Sequence, residues 1–125
     1  MQDVLSFMKE QFNILAIPYE FMEWSKGIKY PYFIGEIAEN EPLTEEGLKE
    51  YTFTLTGTHR GKFSTLEEIR AKIEKHFDHI NGLRAATDKG VIAVFYSNAL
   101  FVPTGEADLK RVQIYLKIKY WKGAI

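Results

Sequence analysis

The sequence predicts an α+β domain: one mostly antiparallel or mixed sheet of 4-5 strands with two helices packed on it, in the order α-β-β-β-α-β-β. Three observations predict it. Two segments carry apolar residues at helical spacing. Five segments are rich in β-branched and aromatic residues and alternate or run apolar, as strands do. The regular strand–helix alternation of a doubly wound nucleotide-binding fold is absent. At 125 residues, with no linker and no internal repeat, the chain reads as a single domain over 1–125.

Met1, Leu5, Met8, Phe12 and Leu15 recur at helical spacing, which predicts an amphipathic helix over 3–13. Residues 17–24 alternate Tyr19, Phe21 and Glu23 against Glu20, Met22 and Trp24, a strand whose start Pro18 confines to an edge or end. Ser25-Lys26-Gly27 reads as a turn and 30–38 as a second strand. Residues 39–50 are acidic and broken by Pro42 and Gly47, which predicts a long exposed loop. Residues 51–58 alternate strictly, with Tyr51, Phe53 and Leu55 on one face and four threonines on the other.

Ser64-Thr65-Leu66-Glu67 has the form of a capping box, and Leu66, Ile69, Ile73 and Phe77 form one helical stripe behind it. Asn81-Gly82 stops that helix. Residues 91–102 and 110–121 predict two further strands around a loop at 103–108. Phe53, Leu55, Leu66, Ile69, Ile73, Ile114, Leu116 and Ile118 are the expected core.

Composition narrows the classes of function. Hydrophobic residues make up 46% and charged residues 26%, ordinary for a globular chain. Aromatics reach 14%, and Tyr and Trp are enriched where proteins bury surface against partners. There is no cysteine, so disulfides and thiolate metal sites are excluded, and a reducing cytosol suits the chain. The first residues lack the basic leader and apolar run of a signal peptide, and no apolar run approaches the roughly 20 residues of a membrane span. A formal net charge of −1 gives no global reason to bind nucleic acid, so neither a membrane nor sequence-specific nucleic acid is expected as a partner.

Candidate chemistry is sparse. Gly57-Thr-His-Arg-Gly-Lys62 lies between a strand and a helix, where phosphate-cradling loops occur. It has three residues between its glycines where a P-loop has four, and Phe63 stands where Ser or Thr would follow the lysine. It therefore reads as a basic, flexible connection. His76 and His79 are three apart, with His59 elsewhere. A histidine at a helix C-terminus is already explained by the helix dipole. Glu20 and Glu23 fall on opposite faces of their strand, poorly placed as an acid–base pair. No G-x-S-x-G elbow occurs. The expectation is a protein that is not an enzyme and needs no cofactor or metal.

Charge is segregated along the chain. Glu36, Glu39, Glu41, Glu45, Glu46 and Glu50 fall within fifteen residues, opposed only by Lys49. Lys110, Arg111, Lys117, Lys119 and Lys122 close the chain with almost no acid among them. These are either two solvated surfaces or complementary patches that orient subunits. On the second reading the candidate assembly interface is Glu39, Glu41, Glu45, Glu46, Arg60, Lys62, Lys110, Arg111, Tyr115, Lys117, Lys119 and Trp121.

Three segments carry a family resemblance: Lys29-Tyr-Pro-Tyr-Phe-Ile-Gly-Glu36; Thr52-Phe-Thr-Leu-Thr-Gly-Thr-His-Arg60 leading into Thr65-Leu-Glu-Glu-Ile69; and 108–121, Asp108-Leu-Lys-Arg-Val-Gln-Ile-Tyr-Leu-Lys-Ile-Lys-Tyr-Trp121. In that order they resemble the tail-completion proteins (tail terminators and head–tail joining proteins) of long-tailed bacteriophages and prophages. The resemblance covers nearly the whole chain as an arrangement of elements. It implies a structural virion-assembly protein that forms a six-fold ring, caps the tail tube and accepts the head connector. It would be a virion component assembled in the cytoplasm of the bacterial host. The family has no catalytic residues to carry over, and its long loop matches Glu39–Glu50. The alternative is a small ligand-binding or regulatory α+β domain of a bacterial cytosolic protein. That would need an enclosed pocket with convergent polar groups.

Overall fold

The computed structural model describes residues 1–40 and 48–123. Helix α1 spans Gln2–Ile14 and buries Val4, Met8 and Phe12, one residue per turn, with Gln11 beside them. It ends in a Schellman motif: Ile17 N–H donates to the Phe12 carbonyl (2.9 Å) and Ala16 N–H to Asn13 (3.0 Å). Ala16 takes the left-handed position (φ 58) that this motif usually reserves for glycine. The following Ile17 is buried with Phe12, the apolar contact that accompanies such an ending.

Strand β1 covers only Tyr19–Phe21, where a strand over 17–24 is predicted. Met22 ends it. Its φ of 71 and the Glu23 N–H to Phe21 carbonyl bond (2.9 Å) form a γ-turn with positive φ, a strained conformation for a residue with a side chain. Strand β2 (Tyr32–Asn40) and strand β3 (Leu48–Arg60) extend into the stretch predicted as a loop, so Glu39 and Glu50 are strand residues. Glu41, Glu45 and Glu46 lie outside the described residues.

Helix α2 spans Phe63–His76, and the expected capping box does not form. Lys62 occupies the N-cap position without a side-chain bond, which leaves Ser64 already inside the helix. The reason lies in packing: the Phe63 ring sits 4.4 Å from that of Phe101, drawing the first turn upstream. Strand β4 (Leu83–Thr87), not predicted, turns through Asp88-Lys89 into strand β5 (Gly90–Phe101), and strand β6 spans Leu109–Lys122. Among the described residues the order is therefore α-β-β-β-α-β-β-β, with six strands rather than four or five.

The sheet is mixed, in the order β1-β2-β3-β6-β5-β4, and among its described pairs only β1 with β2 is parallel. Both helices cover one face, where Phe53, Leu55, Leu66, Ile73, Ile114, Leu116 and Ile118 are fully buried and Ile69 packs against them half-buried. Phe12 anchors the aromatic centre of this core, with ring centroids 4.7 Å from Tyr19, 5.7 Å from Phe53 and 6.2 Å from Phe77. Burial pushes the Tyr19 phenol up to about 12. A bulge at Ser97 shifts the β5 register, so Tyr96 and Ala99 both turn toward the helices.

Candidate assembly surface

Along β6, Val112, Ile114, Leu116, Ile118 and Tyr120 point into the core, so the residues between them occupy the face that the helices leave uncovered. Arg111, Tyr115, Lys117, Lys119 and Trp121 thus stand in one row on the open face. The ladders set their neighbours. Thr58, Thr54, Thr52, Glu50 and Leu48 of β3 lie opposite them in turn. On β5, Asn98 lies beside Tyr115, Phe95 beside Lys117, Ala93 beside Lys119 and Val91 beside Trp121. Tyr115 donates its hydroxyl to Gln113 Oε1 (2.9 Å), and Arg111 Nε reaches Thr58 Oγ1 at 3.5 Å. Lys117 is exposed while Tyr115, Lys119 and Trp121 are half-buried. The face is a shallow platform of aromatic rings, hydroxyls and cations.

The other candidate residues go elsewhere. Lys110 shares the parity of the buried β6 residues, and its ammonium donates to the Ala107 carbonyl. Arg60 is held between Asp108 (2.8 Å) and Glu106 (3.3 Å), with its guanidinium 5.7 Å from the Tyr30 ring centre. Its bond to Asp108 keeps Arg60 charged and holds the Asp108 carboxyl below its ordinary value. Gly57–Arg60 is therefore paired strand clamped to the loop before β6, and not the flexible basic connection the sequence predicts. Lys62 stands exposed at the head of α2.

The acidic stretch is divided between the faces of the sheet. Glu36 and Glu50 share the open face, and Glu50 lies directly across from Lys119. Glu39 points to the helix side and bridges Lys49 at 3.0 Å, an exposed pair that raises the lysine's pKa. Among the described residues, the open face therefore carries acid (Glu36, Glu50) interleaved with base (Lys117, Lys119), and not a basic patch alone.

His76 and His79 tie elements of the fold together. His76 Nε2 meets Gln11 Oε1 at 2.8 Å and ties α2 to α1, while His79 Nδ1 meets the Tyr96 carbonyl at 2.9 Å. Burial pulls the His76 pKa below its ordinary 6.5. No group of three or more acidic or histidine side chains among the described residues is placed to hold a metal ion.

Comparison with protein-family models and with curated proteins finds no match for this chain. No helix among the described residues is long and apolar enough to cross a membrane.

One surface escaped the sequence reading. Between β1 and β2 the chain exposes Met22 and Ile28, each 60% accessible, together with Phe21 and Tyr30. Trp24, Tyr32 and Tyr30 form a row with centroids 5.3 and 5.8 Å apart. A cleft of about 660 Å³ opens between this segment and the end of α1, lined among others by Ile17, Trp24, Lys26, Ile28, Lys29 and Tyr30. Ser25-Lys26-Gly27 reads as an ordinary turn, which hid it. The available signal was the density of large apolar residues on both sides of that turn.

Proposed function

We propose that this chain is a structural virion-assembly protein, a ring-forming tail terminator or head–tail joining component of a long-tailed phage or prophage. The observation that carries the assembly part of this reading is the uncovered sheet face, where Tyr115 and Trp121 flank Lys117 and Lys119, with Arg111 in the same row, on a central strand. Half-buried aromatics flanked by cations suit the burial of a flat partner surface. The resemblance of the 29–36, 52–69 and 108–121 segments supplies the phage context and the six-fold ring. In a closed ring each interface joins two different surfaces, and this molecule offers both an open sheet face and an apolar β1–β2 segment.

Sedimentation velocity and negative-stain microscopy of concentrated protein, alone and with tail tubes from the encoding phage or prophage, test the reading. Closed rings, free or seated on tube ends, are expected. A monomer under both conditions would overturn it. Saturable binding of a small molecule in the 660 Å³ cleft by such a monomer would favour a ligand-binding or regulatory domain instead.

A further inference from the structure

Two apolar features face solvent on segments that adjoin the two outer strands of the sheet, β1 and β4. The first is the cleft between the end of α1 and the β1–β2 segment. Ile28 and Tyr30 are exposed there, and Trp24 braces the segment by donating its indole N–H to the Gly27 carbonyl (3.4 Å). The described residues that line the cleft include Lys26 and Lys29 and no carboxylate. Exposed apolar surface of this kind marks a contact, and the charge states what it accepts. Its occupant should be apolar and acidic at once.

The second feature is the turn that leads from α2 into β4. Ile80 is 79% accessible there, more than any other large apolar residue among the described residues. The turn is braced around Asp78. Its carboxylate accepts the backbone N–H groups of Ile80 (3.3 Å) and Asn81 (3.4 Å) and the Asn81 side-chain amide (2.9 Å). Its carbonyl accepts the Gly82 N–H (2.9 Å). A side chain presented on so constrained a turn loses little freedom on binding. Asp78 is also the one formally charged residue of 77–82, so the turn offers an isoleucine beside a single negative charge. One copy does not bring the two features together, since Ile28 and Ile80 both stay accessible in the single chain. We infer that the cleft formed by Trp24, Ile28, Tyr30 and the two lysines receives the Asp78–Ile80 turn of a second copy, with Ile80 among the apolar side chains and Asp78 facing Lys26 and Lys29. This rests on the self-assembly proposed above, specifies what meets the β1–β2 segment, and leaves the open sheet face to a flat partner. Donor and acceptor adjoin opposite outer strands, so the contact joins two different surfaces and repeats head to tail, as a ring requires.

The chain is free of cysteine, which permits a direct test. Ile28→Cys and Ile80→Cys are made in separate preparations, checked by circular dichroism and melting, mixed, and oxidised. A mixed disulfide between them is expected. Ile28→Cys mixed with Ala71→Cys, an exposed position on α2, is the control and should give little. Adding Lys26→Glu and Lys29→Glu to the acceptor should lower the yield about fivefold. Asp78→Asn in the donor keeps a side chain that can bond to the turn, and should make the yield nearly indifferent to that reversal. A yield that the reversal leaves unchanged with Asp78 in place would overturn the inference. The double variant Ile28→Cys with Ile80→Cys should give a covalent series that ends in a closed species. Closed rings of the unmodified chain without a cross-link above the control would overturn this contact and leave the ring reading standing. Cross-linked open chains would uphold the contact and overturn the closed ring. A monomer without cross-link would overturn both.

Discussion

The Phe33 ring lies over Gly57, its partner across the β2–β3 ladder, so closely that a Cβ at position 57 would stand 2.1 Å from Phe33 Cε2. The glycine is there for space. An alanine forces the fully buried ring out of its place in the core. Gly57→Ala should therefore destabilise the fold by about 2–3 kcal/mol, read as a lower urea midpoint at unchanged slope. Gly27→Ala, where a Cβ meets nothing within 4 Å, should stay within about 0.5 kcal/mol. Phe33→Leu should recover much of the loss in the double variant, because the two sites share one space.

Ala16 predicts the opposite sign. It occupies the left-handed position of the α1 ending at φ 58, where its Cβ is a burden. Ala16→Gly should raise stability by about 0.5–1 kcal/mol, the relief of strain exceeding the added freedom of the unfolded chain. Thermal melting checks it, and no gain would show that the surrounding helix end has already absorbed the strain.

His76 predicts a pH dependence. Its pKa is lower in the folded protein than its ordinary 6.5, so the unfolded chain binds the proton more readily. Its contribution to stability is thus complete above pH 6.5 and is lost as pH falls through the folded value. His76→Gln, which keeps a hydrogen-bonding partner for Gln11, should flatten this acid limb in denaturant titrations at stepped pH. An unchanged limb would assign it to carboxylates such as Glu67, which Arg70 holds below its ordinary value.

The open sheet face predicts a separation of folding from assembly. Lys117→Glu combined with Lys119→Glu should shift melting little, since surface charges such as the exposed Lys117 and the half-buried Lys119 contribute about 1 kcal/mol or less each. Trp121→Ala should cost more association than stability, because its ring is only half-buried in the single chain. Sedimentation at matched concentrations reads the first effect and melting the second. Equal losses in both would make the face a structural surface only.

How far the fold was legible depends on what each strand is made of. In β3, Tyr51, Phe53 and Leu55 alternate with threonines, and in β6 aliphatic residues alternate with Lys, Gln and Tyr, so their period of two stands out. β4 consists of Leu-Arg-Ala-Ala-Thr, whose alanines carry too little apolar weight to show it, and β5 supplies the pairing that makes it a strand. Glu39 and Glu50 read as loop because they are acidic, yet the β2–β3 ladder continues through them. On the candidate assembly surface, the β6 row was legible from periodicity. The cleft was not, because Lys26 and Trp24 meet Asn13 and Ile17 only through the turn of the chain after α1.

The place of β6 has a consequence for how the molecule is made. β6 follows every other strand in sequence, yet it sits between β3 and β5, pairing with β3 from Leu48↔Trp121 to Arg60↔Leu109. Until it is synthesised, β1–β3 and β4–β5 have no strand to join them, and β3 and β5 each present a long unpaired edge. Such distant pairing is slow, because the loop must close before any contact compensates its entropy. A nascent chain on the ribosome would therefore hold two unjoined sheet fragments until β6 emerges from the exit tunnel. That interval, with its bare strand edges, is when this polypeptide is most prone to aggregate.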